Sequence, residues 1–444
     1  SIFPIYSILC ILPHSKRMAI PAEKLIPKPE DIFTMPEWAN RENCLIKVED
    51  ADWKKKIIDH AISNPDIKQN DKILICTSTV ISVQRYYEYL QTTSIIQKFQ
   101  IKPFVYDTSV KKMNFGIGIC TFELASLIIK NAKNNSNLNQ FKLIIIDRIH
   151  VVGDSNRGPN LEQMIDNIKD LRTVQIIGLS AIINTIDSKM YQQWINCSIF
   201  RCSDRIYDVD QYLFSETGEL SRIENGIESQ VANVYEIVDG DNDMEIKGKS
   251  MRIVQLYGFL LLQNQLNQSK RILIFVKSAE NSRKVAHKIA KFLPPNPDMD
   301  DARQELINTI KSLKNIPDSL SECIMKGVSY HNSVDLTLEC RKEIENSFQN
   351  NMINIIITTH TEIQGITTDY IIIRDVPKLP SLLWYSELIS HAFQSPSNAM
   401  KGEVFFVESS ENKDAIKELT DYSTKQCINR LNLNNPKPNL DDYF

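Results

Sequence analysis

The sequence carries no excess of charge of either sign. Its formal net charge at pH 7 is -4, and charged residues make up 24% of the chain. A protein that attracts nucleic acid through a general basic field would carry a clear positive charge. Any nucleic-acid binding by this chain must therefore be local, or must use backbone donors.

Paired cysteines and long apolar runs are also missing. The nine cysteines occur singly, and the closest pair is Cys197 and Cys202. Without a CxxC motif or a Cys/His cluster, the usual patterns of a zinc site are excluded. The scattered spacing argues against a disulfide framework and fits a reducing compartment. No apolar run is long enough to cross a bilayer, so we expect no membrane partner.

The first residues do not form a secretory signal. Residues 1–18 are apolar but are interrupted by Pro4 and Pro13, with no basic start and no small-residue cleavage site. Because the sequence begins at Ser1, we expect either a fragment or translated upstream sequence with Met18 as the true start.

Short apolar runs of strand length alternate with helical patterns in both halves of the chain. In the first half they are KILICTS (72–78), IGIC (117–120), KLIIID (142–147) and VQIIGLS (174–180). In the second half they are RILIFVKS (271–278), KGVSYH (326–331), INIIITTH (353–360), DYIIIRD (369–375) and GEVFFVES (402–409). Near-continuous apolar strands are typical of parallel sheets covered on both faces, and the alternation indicates right-handed βαβ crossovers. The predicted fold class is α/β, with two parallel-sheet domains in tandem.

The composition also sets the predicted boundaries. A polar, acidic stretch separates the two strand-rich halves and is taken as a linker. We predict a lead-in at 1–40, a first domain at 41–212, a linker at 213–250, a second domain at 251–410 and a tail at 411–444.

Several segments carry a resemblance to a known family. The central one is LIIIDRIHVVGDSNRGPNLE (143–162), and GICTFELASLIIKN and VQIIGLSAIINTID flank it in the first half. LIFVKSAENSRKVAHKIAKFL, GVSYHNSVDLTLECRKEIENSF and IITTHTEIQGI follow in the second half. In order and spacing they resemble the superfamily-2 helicases, and most of all the Ski2-like group that includes the helicase POLQ-like proteins and the DNA polymerase theta helicase region.

The resemblance covers roughly residues 30 to 430 and implies a set of properties. It implies two tandem RecA-like domains, ATP and Mg²⁺ as cofactors, and single-stranded DNA as the partner. It also implies a nuclear location and DNA-repair proteins as further partners. Departures from the family pattern fall on the residues that carry its chemistry.

The phosphate-binding loop of the family matches RENCLIKVEDADWKKKIIDHAI (41–62). Such a loop needs glycines, because its N–H groups converge on phosphates from a backbone with positive φ. By position, Lys54 corresponds to the nucleotide-binding lysine, and Lys55 replaces the hydroxyl that binds Mg²⁺. Ala51, Asp52 and Trp53 stand where the glycines belong, and Glu49, Asp50 and Asp52 would repel a triphosphate. We predict a charged helix start here rather than a phosphate nest.

In the next box, the sequence reads Asp147, Arg148, Ile149, His150. The resemblance implies that Asp147 binds Mg²⁺ and that a glutamate at the next position activates water. Arg148 cannot accept a proton, because its pKa stays above ~12. An alternative is open for Asp147 and His150, which as polar residues could simply cap the end of a core strand.

The coupling and arginine-finger boxes depart as well. Ser180 and Ala181 remain, but Ile182 replaces a threonine that links ATP state to nucleic-acid grip. The family has a glutamine and two arginine fingers in the box that matches WYSELISHAFQSP (384–396). Here Glu387 stands at the position of the glutamine, and His391 and Gln394 stand at the positions of the arginines. Neither His391 nor Gln394 supplies a fixed bidentate cation at neutral pH. For His391 the alternative is an ordinary surface or interface residue.

Nucleic-acid contacts are carried over by position from both halves. In this superfamily the strand is bound across the carboxyl ends of both sheets, largely through phosphates. The candidates are Thr121, Glu123, Arg157, Gly158, Ser278, Thr359 and Thr361. For each hydroxyl residue the alternative is a helix cap or a turn.

Three hypotheses follow. Losses in the binding loop, the water activator, the coupling hydroxyl and the arginine fingers favour a degenerate helicase-like module without efficient ATP hydrolysis, which binds nucleic acid or a repair protein. The second hypothesis is a weakly active ATP-dependent DNA helicase. The third is a decaying gene product.

Overall fold

The computed structural model describes most of the chain between residues 24 and 420. The described residues are 24–26, 28–48, 51–104, 114–154, 157–180, 183, 185–202, 209–215, 219–224, 227–233, 270–291, 293–360, 363, 366, 368–376, 382–392 and 402–420.

The first half forms one parallel sheet. Its strands are β1 (Lys24–Leu25), β2 (Cys44–Lys47), β3 (Lys72–Thr77), β4 (Ile101–Phe104), β5 (Ile117–Thr121), β6 (Phe141–Asp147), β7 (Gln175–Ser180) and β8 (Ser198–Arg201). They lie in the order β1-β8-β2-β7-β6-β3-β5-β4, and every neighbouring pair is parallel. The helices are α1 (Pro29–Ile32), α2 (Pro36–Ala39), α3 (Ala51–Ile62), α4 (Val80–Gln91), α5 (Ile95–Lys98), α6 (Phe122–Asn134), α7 (Gly158–Ile168) and α8 (Thr185–Ile195).

Strand β6 shows why the apolar runs are continuous. Ile144 and Ile146 pack into one hydrophobic cluster, and Leu143 and Ile145 pack into a second. Successive side chains of a strand point to opposite faces, so both faces of this sheet are covered by apolar side chains. Asp147 therefore lies at the carboxyl end of a central strand that is covered on both faces.

The second half forms a mostly parallel sheet. Its strands are β9 (Val209–Phe214), β10 (Glu219–Glu224), β11 (Ile227–Asn233), β12 (Ile272–Phe275), β13 (Val328–His331), β14 (Ile355–Thr358), β15 (Tyr370–Ile373) and β16 (Gly402–Val407). Their order is β11-β10-β9-β16-β15-β12-β14-β13, parallel from β9 to β13 and antiparallel across β9, β10 and β11. The helices are α9 (Ala279–Ala290), α10 (Asp300–Leu313), α11 (Asp318–Met325), α12 (Leu338–Gln349), α13 (Leu382–Ile389) and α14 (Lys413–Leu419). The fold class is the predicted one, with two tandem RecA-like α/β domains.

The second sheet begins earlier in the chain than the sequence predicts. Strand β9 pairs with β16, so 209–214 belongs to the second sheet, and β10 and β11 lie inside the predicted linker 213–250. Leu220 and Ile223 of β10 pack on the second core. The remaining residues of this ribbon are mostly polar, because an antiparallel ribbon can leave one face in water. That polarity is what made the segment resemble a linker.

None of the helices in the described ranges combines the length and apolar character needed to cross a membrane. The hydrophobic core of each half instead lies between its sheet and its helices.

Candidate functional site

The candidate site lies where the central strands of the first sheet end. Asp147 is the last residue of β6 and is 2% exposed. Lys54, in the first turns of α3, places its ammonium 2.9 Å from Asp147 Oδ1. The structure thus brings together the two residues that the resemblance assigns to ATP and Mg²⁺, as an ion pair.

Tyr86 of α4 occupies the other side of the same carboxylate. Its hydroxyl donates to Asp147 Oδ2 at 2.8 Å, so both carboxylate oxygens have protein partners. Tyr86 was not predicted from the sequence. Within VQRYYEYLQ it is one of several aromatic residues on an amphipathic helix, and only the packing of α4 brings it to β6.

These partners determine the charge of the cluster. Burial alone would raise the pKa of Asp147, but the nearby Lys54 ammonium, the Tyr86 hydroxyl and the Arg148 charge together lower it below its ordinary value. Burial, and then the negative charge of Asp147, raise the pKa of Tyr86 well above its ordinary value. At neutral pH Asp147 is therefore a carboxylate and Tyr86 a protonated phenol.

The segment before Lys54 is helical and does not form a phosphate nest. Helix α3 begins at Ala51, and only residues 48–50 separate it from β2. Among the residues described, those with positive φ lie elsewhere: Arg41, Ser136, Arg148, Asn196, Asn351 and Gly327. A nest of convergent N–H groups requires positive φ, so residues 51–54 cannot build one in this conformation. Glu49 and Asp50 lie outside the described residues.

Two side chains of this helix start have other roles. Trp53 is half-buried and packs on the apolar cluster formed between α3 and the sheet. Lys55, at the position of the family's Mg²⁺-binding hydroxyl, pairs with Asp52 at 3.1 Å. Both contacts fit the predicted charged helix start.

Arg148 occupies the position of the water-activating glutamate. It adopts a left-handed backbone conformation with φ 66°, and its N–H donates to the Leu179 carbonyl at 2.9 Å. Its side chain is 9% exposed. A buried guanidinium supplies positive charge beside Asp147 but no proton acceptor.

His150 and Ser180 connect the ends of two neighbouring strands. Nδ1 of His150 lies 2.7 Å from Oγ of Ser180, and both side chains are buried. This bond links the turn after β6 to the end of β7. Ala181 and Ile182, the next two positions of that box, lie outside the described residues.

The first-domain nucleic-acid candidates lie along the same edge of the sheet. Thr121 ends β5 and precedes α6, and its side chain makes no capping bond to that helix. Glu123 lies in the first turn of α6 and is partly buried. Nη1 of Arg157 donates to the Ser78 carbonyl at 2.6 Å, which connects the start of α7 with the end of β3. A hydroxyl and a guanidinium therefore border the carboxyl ends of β3 and β5.

Gly158 has a steric role at the start of α7. A Cβ added there would lie 2.3 Å from the Val152 carbonyl oxygen, which is far inside van der Waals contact. Glycine is needed because α7 begins directly against the turn that follows Asp147.

The second-domain candidates are described in part. Ser278 caps α9, and its hydroxyl accepts from the Asn281 N–H at 3.2 Å, as in the alternative of a helix cap. Thr359 follows β14, and its N–H donates to the His331 carbonyl at 3.3 Å. Thr361 lies outside the described residues.

His391 is bound to the backbone of its own domain. Its ring Nδ1 lies 3.1 Å from the Ile366 carbonyl, and its carbonyl accepts from the Thr368 N–H at 2.8 Å. The side chain is buried. These contacts are those of a packed structural histidine. Gln394 lies outside the described residues, and the side chain of Glu387 is not described.

The two domains meet through helices α4 and α12. Arg85 of α4 pairs with Glu345 of α12, and Lys342 Nζ lies 2.9 Å from Glu88 Oε1. Helix α13 of the second domain also lies against the turn Ile149–Gly153. The carboxyl edge of the first sheet therefore faces the second domain.

Comparison with known proteins identifies relatives of this architecture. The DEAD/DEAH box helicase family model matches residues 56–189. The chain is 25% identical to an ATP-dependent DNA helicase Hel308 of Methanococcus vannielii over 278 residues, which is 61% of this chain and 34% of that protein. It is 23% identical to the helicase POLQ-like protein of Homo sapiens over 443 residues, covering 92% of this chain and 38% of that protein.

A third relative agrees with these. The Hel308 helicase of Thermoplasma volcanium is 24% identical over 359 residues, covering 79% of this chain and 47% of that protein. The chain is thus related to Hel308 and POLQ-like helicases, which are Ski2-like superfamily-2 helicases, at low identity. It spans between a third and a half of the length of these three proteins.

Proposed function

We propose that this chain is a degenerate helicase-like module that binds single-stranded DNA without efficient ATP hydrolysis. The observation that carries the proposal is the cluster of Lys54, Asp147 and Tyr86. In it, both oxygens of the carboxylate that the family uses for Mg²⁺ are bonded to protein groups.

Metal binding at Asp147 would disrupt this cluster. Mg²⁺ requires near-octahedral oxygen ligands and is usually held by one or two carboxylates together with phosphates. The residues present fit this role poorly, because both oxygens of Asp147 already accept hydrogen bonds from Lys54 and Tyr86, and Lys55 offers no oxygen. Arg148, at the position of the family's water-activating glutamate, cannot accept a proton from water. The DEAD/DEAH match covers residues 56–189, so it includes Asp147 and Arg148 but not Lys54 and Lys55.

The surface for nucleic acid depends on hydroxyls, backbone N–H groups and a few cations. Thr121, Arg157 and Thr359 lie at the carboxyl ends of their sheets, where such groups can meet phosphates. DNA is the proposed nucleic acid because the Hel308 relatives are named ATP-dependent DNA helicases. We extend the proposal to a nuclear DNA-repair setting with repair proteins as partners, which rests on the resemblance of motif order alone.

The second candidate function is a weakly active ATP-dependent DNA helicase. The observation that favours it is the survival of paired residues from two boxes, Lys54 with Asp147 and His150 with Ser180. In this alternative, Mg-ATP displaces Tyr86 and turnover is slow.

Fluorescence anisotropy with a labelled single-stranded oligonucleotide, with and without Mg-ATP, tests the proposal. We expect binding that Mg-ATP leaves unchanged, and we expect it to weaken in Arg157→Ala and in Thr121→Val. Arg172→Ala is the control, because Arg172 is exposed just before β7, at the opposite edge of the sheet. Binding that requires Mg-ATP, or that is equally sensitive to Arg172→Ala, would contradict the proposal.

A further inference from the structure

Helix α4 connects the candidate nucleotide cleft to the second domain. Tyr86 bonds to Asp147 in the cleft. Tyr89, one turn further along, donates to Asp59 of α3, and the Lys55 ammonium lies 5.3 Å from the centre of its ring. Helix α4 is thus fixed to the element that carries Lys54.

The neighbouring residues of α4 cross to the second domain. Arg85 pairs with Glu345, and Glu88 pairs with Lys342 at 2.9 Å. Both pairs join residues three positions apart on one helix to residues three positions apart on the other. Residues at this spacing share one face of a helix. Each helix carries a basic residue followed by an acidic one, and because the pairing is antiparallel each charge faces a charge of opposite sign.

The second-domain side of this contact is preorganised. Glu345 is 2% exposed, and its Oε1 lies 2.8 Å from Nε2 of His331, the last residue of β13. Burial raises the pKa of Glu345, but the hydrogen bond and charge of His331, with Arg85 and Arg341, lower it overall. A buried, ionised carboxylate needs cationic partners, and Arg85 is the one among these that comes from the first domain.

We propose that α4 and α12 form a clasp that holds the two domains together without nucleotide. The clasp consists of Arg85 and Glu88 on α4 and Lys342 and Glu345 on α12. The clasp fixes the candidate nucleic-acid-binding residues of the two domains relative to one another, so that they form one preformed surface. This last consequence rests on the proposed function, whereas the clasp itself does not.

Charge reversal across the more exposed pair tests the clasp. Small-angle X-ray scattering of the full chain reports domain separation as the radius of gyration. We expect Glu88→Lys and Lys342→Glu, each alone, to increase the radius of gyration, because each places like charges in contact. We also expect each to weaken binding of single-stranded DNA at least about fivefold. The combined variant Glu88→Lys/Lys342→Glu restores opposite charges and should return both quantities towards those of the unmodified chain.

Lys284→Glu is the matched control, since it reverses a charge in an exposed pair with Glu280 inside α9. It should change neither quantity. An unchanged radius of gyration in both single variants, or compaction of the unmodified chain only after Mg-ATP is added, would overturn the clasp. If the unmodified chain bound no single-stranded DNA, the proposed function would fail, while the scattering result would still decide the clasp.

Discussion

Asp147 keeps its charge inside the first domain because its neighbours compensate its burial. A buried carboxylate without partners would be strongly disfavoured. Here Lys54 bonds to one oxygen and Tyr86 to the other. The same residues that make the site resemble an ATPase therefore stabilise the fold.

Tyr86→Phe should reveal this structural role. The substitution keeps the ring and removes one hydrogen bond to a buried, charged acceptor, so we expect a loss of about 1.5–3 kcal/mol in the free energy of unfolding. Chemical denaturation measures it. Tyr87→Phe is the control, because Tyr87 is a partly buried neighbour for which the structure shows no hydroxyl bond. Equal losses in the two variants would contradict this account.

Acidification should remove the contribution of Asp147 to the free energy of unfolding. Its pKa in the folded state lies below the ordinary value of 3.8, so its stabilisation is complete above that value and is lost as the pH falls through the folded-state pKa. We expect the stability difference between the unmodified chain and Asp147→Asn to be largest near neutral pH and to shrink below about pH 4.

The comparison with Asp147→Asn removes other acid effects. Burial lowers the pKa of His360 to about 4, so its protonation also costs stability in acid, but it does so in both chains. Denaturation series at several pH values provide the measurement. A difference that grows on acidification would show that the pKa of Asp147 is raised in the folded state.

The sequence predicted individual site residues only where a motif position identified them. Asp147 and Lys54 were found because each occupies a fixed position relative to a strand or a helix. Tyr86 was not, because its partner lies 61 positions away and no motif position identifies it. For His391, the predicted alternative was an ordinary surface or interface residue, whereas the structure shows a buried side chain bonded to the Ile366 carbonyl.

At the scale of elements, helix α3 begins at Ala51, within the segment that matches the family's phosphate-binding loop by position. Changing Ala51 and Trp53 to glycine should lower the melting temperature, because each glycine costs about 1 kcal/mol in a helix and Trp53 loses its packing. We expect no further shift when millimolar Mg-ATP is added, because Arg148 and Tyr86 remain in place. A ligand raises stability only through its affinity for the folded state, so an ATP-dependent rise would refute this prediction.

The start of α7 has room only for a glycine at position 158. Gly158→Ala should cost about 1–3 kcal/mol, because the new methyl group would overlap the Val152 carbonyl. Gly116→Ala is the control, since its nearest atom would lie at 3.1 Å and belongs to a side chain. Thermal melts of the two variants decide the point. A Gly158→Ala chain as stable as Gly116→Ala would contradict the tight contact.

Element prediction from the sequence succeeded for strands that are buried on both faces. The predicted runs at 72–78 and 353–360 contain β3 and β14, and the run at 142–147 covers all of β6 except its first residue. It failed for β10 and β11, whose sequences are mostly polar. It also did not identify β2 as a strand, because its four residues precede a run of charges.

At the scale of the whole molecule, the structure has the two-domain core that the apolar runs predict. Packing requires only apolar side chains of suitable volume, and the clusters of both domains supply them. Catalysis requires particular groups at particular atoms, and fold alone does not ensure them. The presence of two tandem α/β domains could therefore be predicted from the periodicity of apolar residues. The contact between α4 and α12 could not be predicted, because it depends on how the two domains pack.

Phosphate release tests the central claim most directly. It should be measured for the unmodified chain with Mg-ATP and saturating single-stranded DNA, beside Lys54→Ala. We expect no release above the protein-free blank in either sample, because Asp147 is held by Lys54 and Tyr86 and Arg148 cannot accept a proton. DNA-stimulated release that disappears in Lys54→Ala would contradict the account and identify the chain as a working ATPase.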